Sequence, residues 1–296
     1  MDRTNKATKG KKDAGLARDR RGTIARIFCS KRVLIGPMVV VFIAAVALFA
    51  PQIAPYSPTR MNPSERFAPP SAHHILGTDF YGRDTLSRIT YGYRSSLSVA
   101  FLSVSMALVL GGSLGITAAY FGKTLDMIIM RTMDILFAFP VLLLAIVIVV
   151  ILGPGLTSTV LAIGIVYVPI FARTARGPTL AVKEEAFIEA CRAVGASTLR
   201  IILRHILPNV SVPILVQITL SLATAILFES ALSFLGLGVQ PPHPSLGSMV
   251  SEARIYIELT PWPVLFPGIA IAIIVLGFNL TGDAVRQILN PKLRVK

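Results

Sequence analysis

Side chains able to act as acid, base, nucleophile or metal ligand are sparse in this chain, and their spacing decides what they can do. His73, His74, Asp79 and Asp84 crowd one stretch, His73-His-Ile-Leu-Gly-Thr-Asp-Phe-Tyr-Gly-Arg-Asp84. Two imidazoles and two carboxylates are metal-ligand types, but the spacing is not diagnostic of a metal site. Gly77-Thr78-Asp79 and Gly82 are turn residues, so turn and cap chemistry is the preferred reading. Gly122-Lys123-Thr124 has the ending of a phosphate loop, yet the motif needs glycine at position 117, where Thr117 stands. No other nucleotide-binding loop occurs, so any ATP would be hydrolysed by another chain. Cys29 and Cys191 are far apart and without ligand neighbours, and read as small core residues. Asp134 has the type of a proton-relay carboxylate, but Arg131 lies one turn before it and a structural pair is preferred. Glu229 lies near a membrane edge and is a candidate for the substrate path, with water or a neighbouring hydroxyl as the plainer partner. Nothing here is a catalytic constellation or a metal site.

The elements that must position these groups are membrane spans. The chain is 53% hydrophobic and 15% charged, with mean hydropathy +0.69, whereas a soluble domain carries about 25% charge. A net charge of +14 first suggests nucleic acid, but its distribution points elsewhere. Of 29 Lys and Arg, eleven fall in 1–32, two in 120–131, six in 173–204 and four in 284–296. Six apolar spans separate these regions so that all share one side. This is the bias that orients membrane proteins, and it puts both termini in the cytoplasm. The excess charge needs no nucleic acid.

In chain order, 1–32 is a basic tail too polar to bury a core. Val33–Ala50 supplies 18 uncharged residues, just enough to span; the long charged lead and the lack of a cleavage site favour an uncleaved helix over a signal peptide. Residues 33–94 thus comprise the first span and an external segment, kept extended by six prolines between 51 and 70. Thr85–Tyr93 is expected as a short interfacial helix. The transmembrane core, 95–285, then starts with a span over Ser95–Tyr120, where Gly111 and Gly115 permit close helix approach. A third span lies within Met127–Leu152, kinked at Pro140, a fourth is Leu156–Ala172, a fifth Val210–Phe228 and a last Pro263–Gly282. Residues 286–296 form a second inner tail.

Between the fourth and fifth spans, within 173–209, lies a charged helical elbow. Thr179 reads as a cap, with Glu184 and Glu185 toward the positive end of the helix dipole, and Leu180, Phe187, Cys191 and Val194 on one face. Gly195 supplies a corner. A second short helix, capped by Ser197 and closed by Pro208, has Leu199, Ile202, Leu203 and Ile206 as its stripe, with Arg200 and Arg204 off it. An amphipathic elbow on a membrane surface is a docking handle.

Glu189-Ala190-Cys191, Gly195 and Leu207-Pro208 resemble the coupling loop of bacterial ABC-importer permeases: Glu-Ala-Ala, three residues, Gly, nine residues, Ile-x-Leu-Pro. Cys191 replaces the second Ala and His205 the Ile; Arg204-His205-Ile-Leu-Pro-Asn209 is itself similar to the peptide and nickel subfamily. The string His74 to Asp84 resembles that subfamily's external signature, carried here by Gly77, Thr78, Asp79, Gly82, Arg83 and Asp84. Pro241–Met249 and Asn279-Leu-Thr-Gly-Asp283 resemble two further family patterns. The resemblance covers residues 33 to 292. It implies an all-α integral membrane protein with six transmembrane helices, like type I ABC-importer permeases, in the bacterial inner membrane. Glu185, Glu189, Ala190, Cys191, Gly195, Arg204, His205, Leu207 and Pro208 would belong to the ATPase-coupling loop. The implied partners are a second, homologous permease subunit, two ATP-binding subunits that hold ATP and Mg, an extracytoplasmic solute-binding protein and the bilayer. No cofactor is expected in this chain. The implied cargo is small peptides, with nickel, glutathione or another chelated solute as alternatives. Two other classes compete. A secondary transporter would need buried charges, which the spans largely lack. A membrane-embedded enzyme would need a constellation at membrane depth, whereas all four histidines lie in loops.

Overall fold

The computed structural model describes residues 31–289. The expected basic tail up to residue 30, Cys29 within it, and residues 290–296 lie outside the described residues. These are helical almost throughout, without a strand; Thr78 and Asp84 form an isolated bridge. The helices are α1 (Lys31–Leu48), α2 (Thr85–Phe121), α3 (Lys123–Phe137), α4 (Val141–Leu152), α5 (Leu156–Lys183), α6 (Ala186–Ala193), α7 (Thr198–Phe234), α8 (Leu246–Ala253) and α9 (Trp262–Leu289). Among the described residues α2, α5, α7 and α9 are each long and apolar enough to cross a membrane. Helices α3 and α4 would make a fifth span if taken as one broken rod, and the apolar part of α1, Leu34–Leu48, is shorter.

Within a bilayer, helices gain little by hiding apolar side chains from lipid that is equally apolar, so close packing through small residues carries the association. Helices α2 and α5 form the central pair on that principle. A Cβ on Gly111 would stand 2.3 Å from the Val168 carbonyl oxygen, and one on Gly115 would stand 2.1 Å from that of Ala172. Only hydrogen fits at either place. The two faces then interlock through Val104, Ala107, Ile163 and Phe171. Helix α1 lies on α9 by the same device, a Cβ on Gly36 meeting the Thr281 nitrogen at 2.5 Å.

Three elements depart from the sequence expectation. The interfacial helix and the second span are one helix of 37 residues, because Asp84 caps it at Thr85 and no breaker follows. Tyr93 is therefore buried, its hydroxyl 3.4 Å from the Ala270 carbonyl. The expected kink at Pro140 is a full break, with α3 and α4 at 89° to one another. Helix α4 has 12 residues, only ~18 Å of rise. Pro208 does not close the elbow. Its missing N–H falls just after a turn of π-helix, Ile202–Ile206, through which the chain runs on into Leu207–Phe234. The widened turn lets proline enter the helix without breaking it.

Candidate functional site

The elbow is built from α5 outward. Thr179 caps nothing: it is buried inside α5, which continues past Pro178 to Lys183, and its hydroxyl donates to the Ala175 carbonyl at 2.8 Å. Glu185, in extended conformation, precedes α6, and Glu189 lies in the first turn of α6, where the helix dipole favours an acid. Gly195 follows with φ of 78°. Its N–H donates to the Arg192 carbonyl at 3.0 Å, and the Ala196 N–H donates to that of Cys191, also at 3.0 Å. That is the paired-bond helix terminator in which the left-handed residue is normally glycine. No side-chain bond from Ser197 caps the second arm.

The buried face is not the expected stripe. Ile188, Ile201 and Ile206 are buried with Ile116, Ala175 and Val210, and Cys191 packs at their edge. Phe187, Val194, Leu199 and Leu203 point outward instead, Val194 at 83% exposure. The elbow's inward side is thus sealed to the bundle, and its outward side carries four exposed apolar residues among Glu189, Ala190, Arg204 and Pro208, all exposed as well. Cys191 Sγ lies 3.6 Å from His205 Nε2, and the His205 ring 6.2 Å from that of Phe187, so these residues join the two arms. Leu207 is partly exposed where the second arm enters the bundle.

Two ion pairs and a lysine–carbonyl bond tie α5, which leads into the elbow, to α3 and α2. Arg176 donates to both Asp126 oxygens, at 2.7 and 2.6 Å, and Lys183 donates to the Ala119 carbonyl at 2.9 Å. The partner of Asp134 is Arg173, at 2.6 Å, not the Arg131 expected from spacing. The two faces of α3 explain this: Asp134 looks toward α5, so a residue on a packed helix outcompetes one on the same helix. Spacing could not reveal these pairs, whose members are 39 and 50 residues apart.

At the other end of α7 the external signature folds into a compact knot. Gly77 (φ 70°) and Gly82 (φ 69°) take turns open only to glycine; a Cβ on Gly82 would stand 1.8 Å from the Asn62 carbonyl oxygen. The Thr78 hydroxyl donates to the Glu65 carbonyl and accepts from the Ala68 N–H. Asp84 accepts from the Ser87 N–H and hydroxyl at 2.8 and 2.7 Å while its other oxygen lies 2.8 Å from His74 Nδ1. The second His74 nitrogen faces Glu65 at 3.3 Å. The Asn62 amide first, and His74 after it, hold the Glu65 carboxyl below the ordinary glutamate range. Asp79 Oδ2 accepts from Arg83 Nε and Arg88 Nη1, each at 2.6 Å, and both arginines reach Glu252 on α8, at 2.5 and 3.3 Å. Burial works against the Arg83 charge, but Asp79 and Glu252 outweigh it and hold its pKa up. Burial likewise pushes the Glu252 carboxyl up against the pull of Arg83; with two guanidiniums in reach, the ionised carboxylate is the form this geometry serves. Arg88, Glu65 and Glu252 are contributors that sequence reasoning missed.

Glu229 does not face an open path in this structure. It is fully buried, accepting from the Ser96 hydroxyl on α2 at 2.6 Å and from Ser233 on its own helix at 2.8 Å.

Comparison with known proteins gives this geometry a context. Residues 111–295 match the model of the binding-protein-dependent transport system inner membrane component, and residues 21–70 match the N-terminal transmembrane domain of oligopeptide transport permease C. The chain is 48% identical to the dipeptide transport system permease protein DppC of Alkalihalophilus pseudofirmus, over 90% of this chain and 87% of that protein. It is 42% identical to a putative peptide transport system permease protein of Brucella suis, over 93% and 92%. It is also 42% identical to the glutathione transport system permease protein GsiD of Escherichia coli, over 86% and 84%. Among solved structures, a chain of the inward-facing MetNI methionine ABC transporter shares the fold, with TM-score 0.57 and 20% identity over 69% of this chain and 98% of that one.

Proposed function

The chain belongs to the family of binding-protein-dependent transport system inner membrane components, and on that premise we propose that it forms one half of the gate through which an ATP-driven importer passes small peptides. It is a transport subunit of the bacterial inner membrane, not an enzyme. In this reading α1 and the broken α3–α4 pair complete six spans with both termini in the cytoplasm. A second, homologous permease subunit supplies the other half of the gate. Two ATPase chains hold ATP and Mg, and an extracytoplasmic solute-binding protein delivers the cargo.

The observation that carries this reading is the elbow. Its inner face is sealed to the bundle by Ile188, Ile201 and Ile206, while Phe187, Val194, Leu199 and Leu203 stand free on a stiff corner. An exposed apolar patch on a rigid support fits a protein partner. Motion of that partner would be delivered to α5 and α7 together, the two helices on either side of the elbow. Asp134 is occupied by Arg173, which leaves an ion-coupled mechanism without its nearest carboxylate. Peptides are the favoured cargo because the relatives named above as dipeptide and peptide permeases are at least as similar as the one named for glutathione; glutathione, itself a tripeptide, is the second reading.

Uptake of a labelled dipeptide by cells carrying the complete system tests the proposal. Uptake is expected to vanish when the ATPase genes are deleted, with the permease still present in the membrane. Transport that persists without any ATPase would overturn it.

A further inference from the structure

Between α5, α7 and α9, on the elbow side of the bundle, lies a cavity of about 460 Å³. Most of its wall is apolar, with Pro213, Val216 and Leu220 of α7 facing it. Three polar side chains interrupt that wall, one from each helix. Thr174 on α5 donates its hydroxyl to the Ile170 carbonyl at 2.8 Å, which leaves the oxygen able to accept. Gln217 on α7 donates from Nε2 to the Ser221 hydroxyl at 3.0 Å, while its Oε1 has no donor among the described residues. Arg286 on α9 is exposed, and among the described residues its guanidinium meets neither a carboxylate nor a carbonyl. The cations of α5 differ in this respect, since Arg173, Arg176 and Lys183 are each engaged. No acid lines the cavity.

The cavity thus offers one unpaired cation, two acceptors and an unselective apolar wall. That set complements a short peptide, which has a carboxylate at one end, backbone N–H groups along it and side chains of varied shape. A small inorganic anion would leave the apolar wall and both acceptors unused. An amine alone would find no carboxylate. An acyl chain from the bilayer would set the Gln217 oxygen against hydrocarbon, where an unmet acceptor is costly. Resting on the function proposed above, we infer that this cavity holds the peptide as it leaves the gate, with Arg286 on its C-terminal carboxylate and the Gln217 oxygen on a backbone N–H. A guanidinium is suited to a carboxylate by charge and by its fork of donors. Its exposure to solvent screens the pair and keeps the grip weak enough for release. The cavity then selects for a free carboxyl end and not for particular side chains.

The test uses the intact complex of both permeases and the ATPases in nanodiscs, without the solute-binding protein, so that the latter's own selectivity does not enter. In a variant with Cys29 and Cys191 replaced, Leu220→Cys places a thiol in the cavity wall, and its alkylation is followed by the mass of this chain. Millimolar alanyl-alanine is expected to slow alkylation by about threefold or more. Alanyl-alanine amide, which lacks the carboxylate, is expected to need roughly tenfold more for the same effect. Adding Arg286→Gln is expected to erase the difference between the two ligands, and Arg286→Lys, which keeps the charge, to retain part of it. If Arg286→Gln fails to assemble, the comparison of the two dipeptides on the unaltered arginine decides. Equal protection by both, or protection by neither, overturns the inference. So does protection that follows the phosphatidylglycerol content of the nanodisc and not the dipeptide, which would assign the cavity to a lipid headgroup. Any of these results can occur in a system whose uptake still depends on the ATPases, so failure here is distinct from failure of the proposed function.

Discussion

Gly195 has open space where a Cβ would stand and a φ of 78°. A substitution there meets no neighbour and acts on the backbone alone. Gly195→Val is therefore expected to strain or straighten the corner, at a cost of about 1–3 kcal/mol, without altering the docking side chains. In the assembled importer the expected outcome is ATP hydrolysis near the original rate with reduced peptide transport, read by assaying both in one proteoliposome preparation; normal coupling would remove the corner from the mechanism. Glu229 poses the opposite case, because its neighbours matter more than its backbone. Glu229→Gln keeps an acceptor for Ser96 or Ser233, whereas Glu229→Leu leaves both hydroxyls buried beside a hydrocarbon. Each stranded hydroxyl costs about 1–3 kcal/mol, so thermal unfolding in detergent is expected to rank Leu well below Gln. Equal melting of the two would show that the hydroxyl bridge contributes nothing. The glycine corner was legible from spacing before any fold was known. The bridge was not, since Ser96 lies 133 residues from Glu229 and nothing local marks it.

Among the elements, the α2–α5 pair depends most on single atoms. The Gly111 and Gly115 pattern is visible in the sequence, and the contact with the Val168 and Ala172 carbonyls is its realisation. Gly115→Ala would force those backbones apart, and overpacking of this kind costs about 1–3 kcal/mol. The expected result is a lower melting temperature of the purified permease, with Gly112→Ala, whose Cβ would meet only Leu108 Cδ1 at 3.8 Å, close to the original. Where the elements end was harder to read. Pro140 announces a bend but not its angle, because the angle is set by what α3 and α4 pack against. Pro208 looks like a stop, yet one turn of π-helix absorbs it. The faces of the elbow were misassigned for a related reason: on an eight-residue helix such as α6, apolar residues occur on two sides, and only the bundle decides that Ile188 goes in while Phe187 and Val194 stay out.

For the whole molecule, the function proposed above requires the elbow and the knot around Asp79 to lie on opposite sides of the bilayer, the division expected from charge distribution and family resemblance. In a variant with Cys29 and Cys191 replaced, Val194→Cys is expected to react with a membrane-impermeant thiol reagent only after the cells are opened. Ile255→Cys is expected to react in intact spheroplasts. The reverse pattern would invert the topology and with it the proposed direction of transport. The ion pairs beside the elbow, Arg173–Asp134 and Arg176–Asp126, stayed hidden in the sequence because their partners come from different helices, whereas the two surfaces themselves follow from local motifs.

The unbroken run of α7 from Thr198 to Phe234 gives those two sides a mechanical relation. At 37 residues it is ~55 Å long, and its irregular points, the π-turn at Ile202–Ile206 and Pro213, both lie in the half nearer Leu199, which leaves a regular rod from there to Glu229. A tilt imposed at the Leu199 end can bend the rod at that turn and that proline; whatever passes them arrives at the far end as leverage on the serine-held carboxylate.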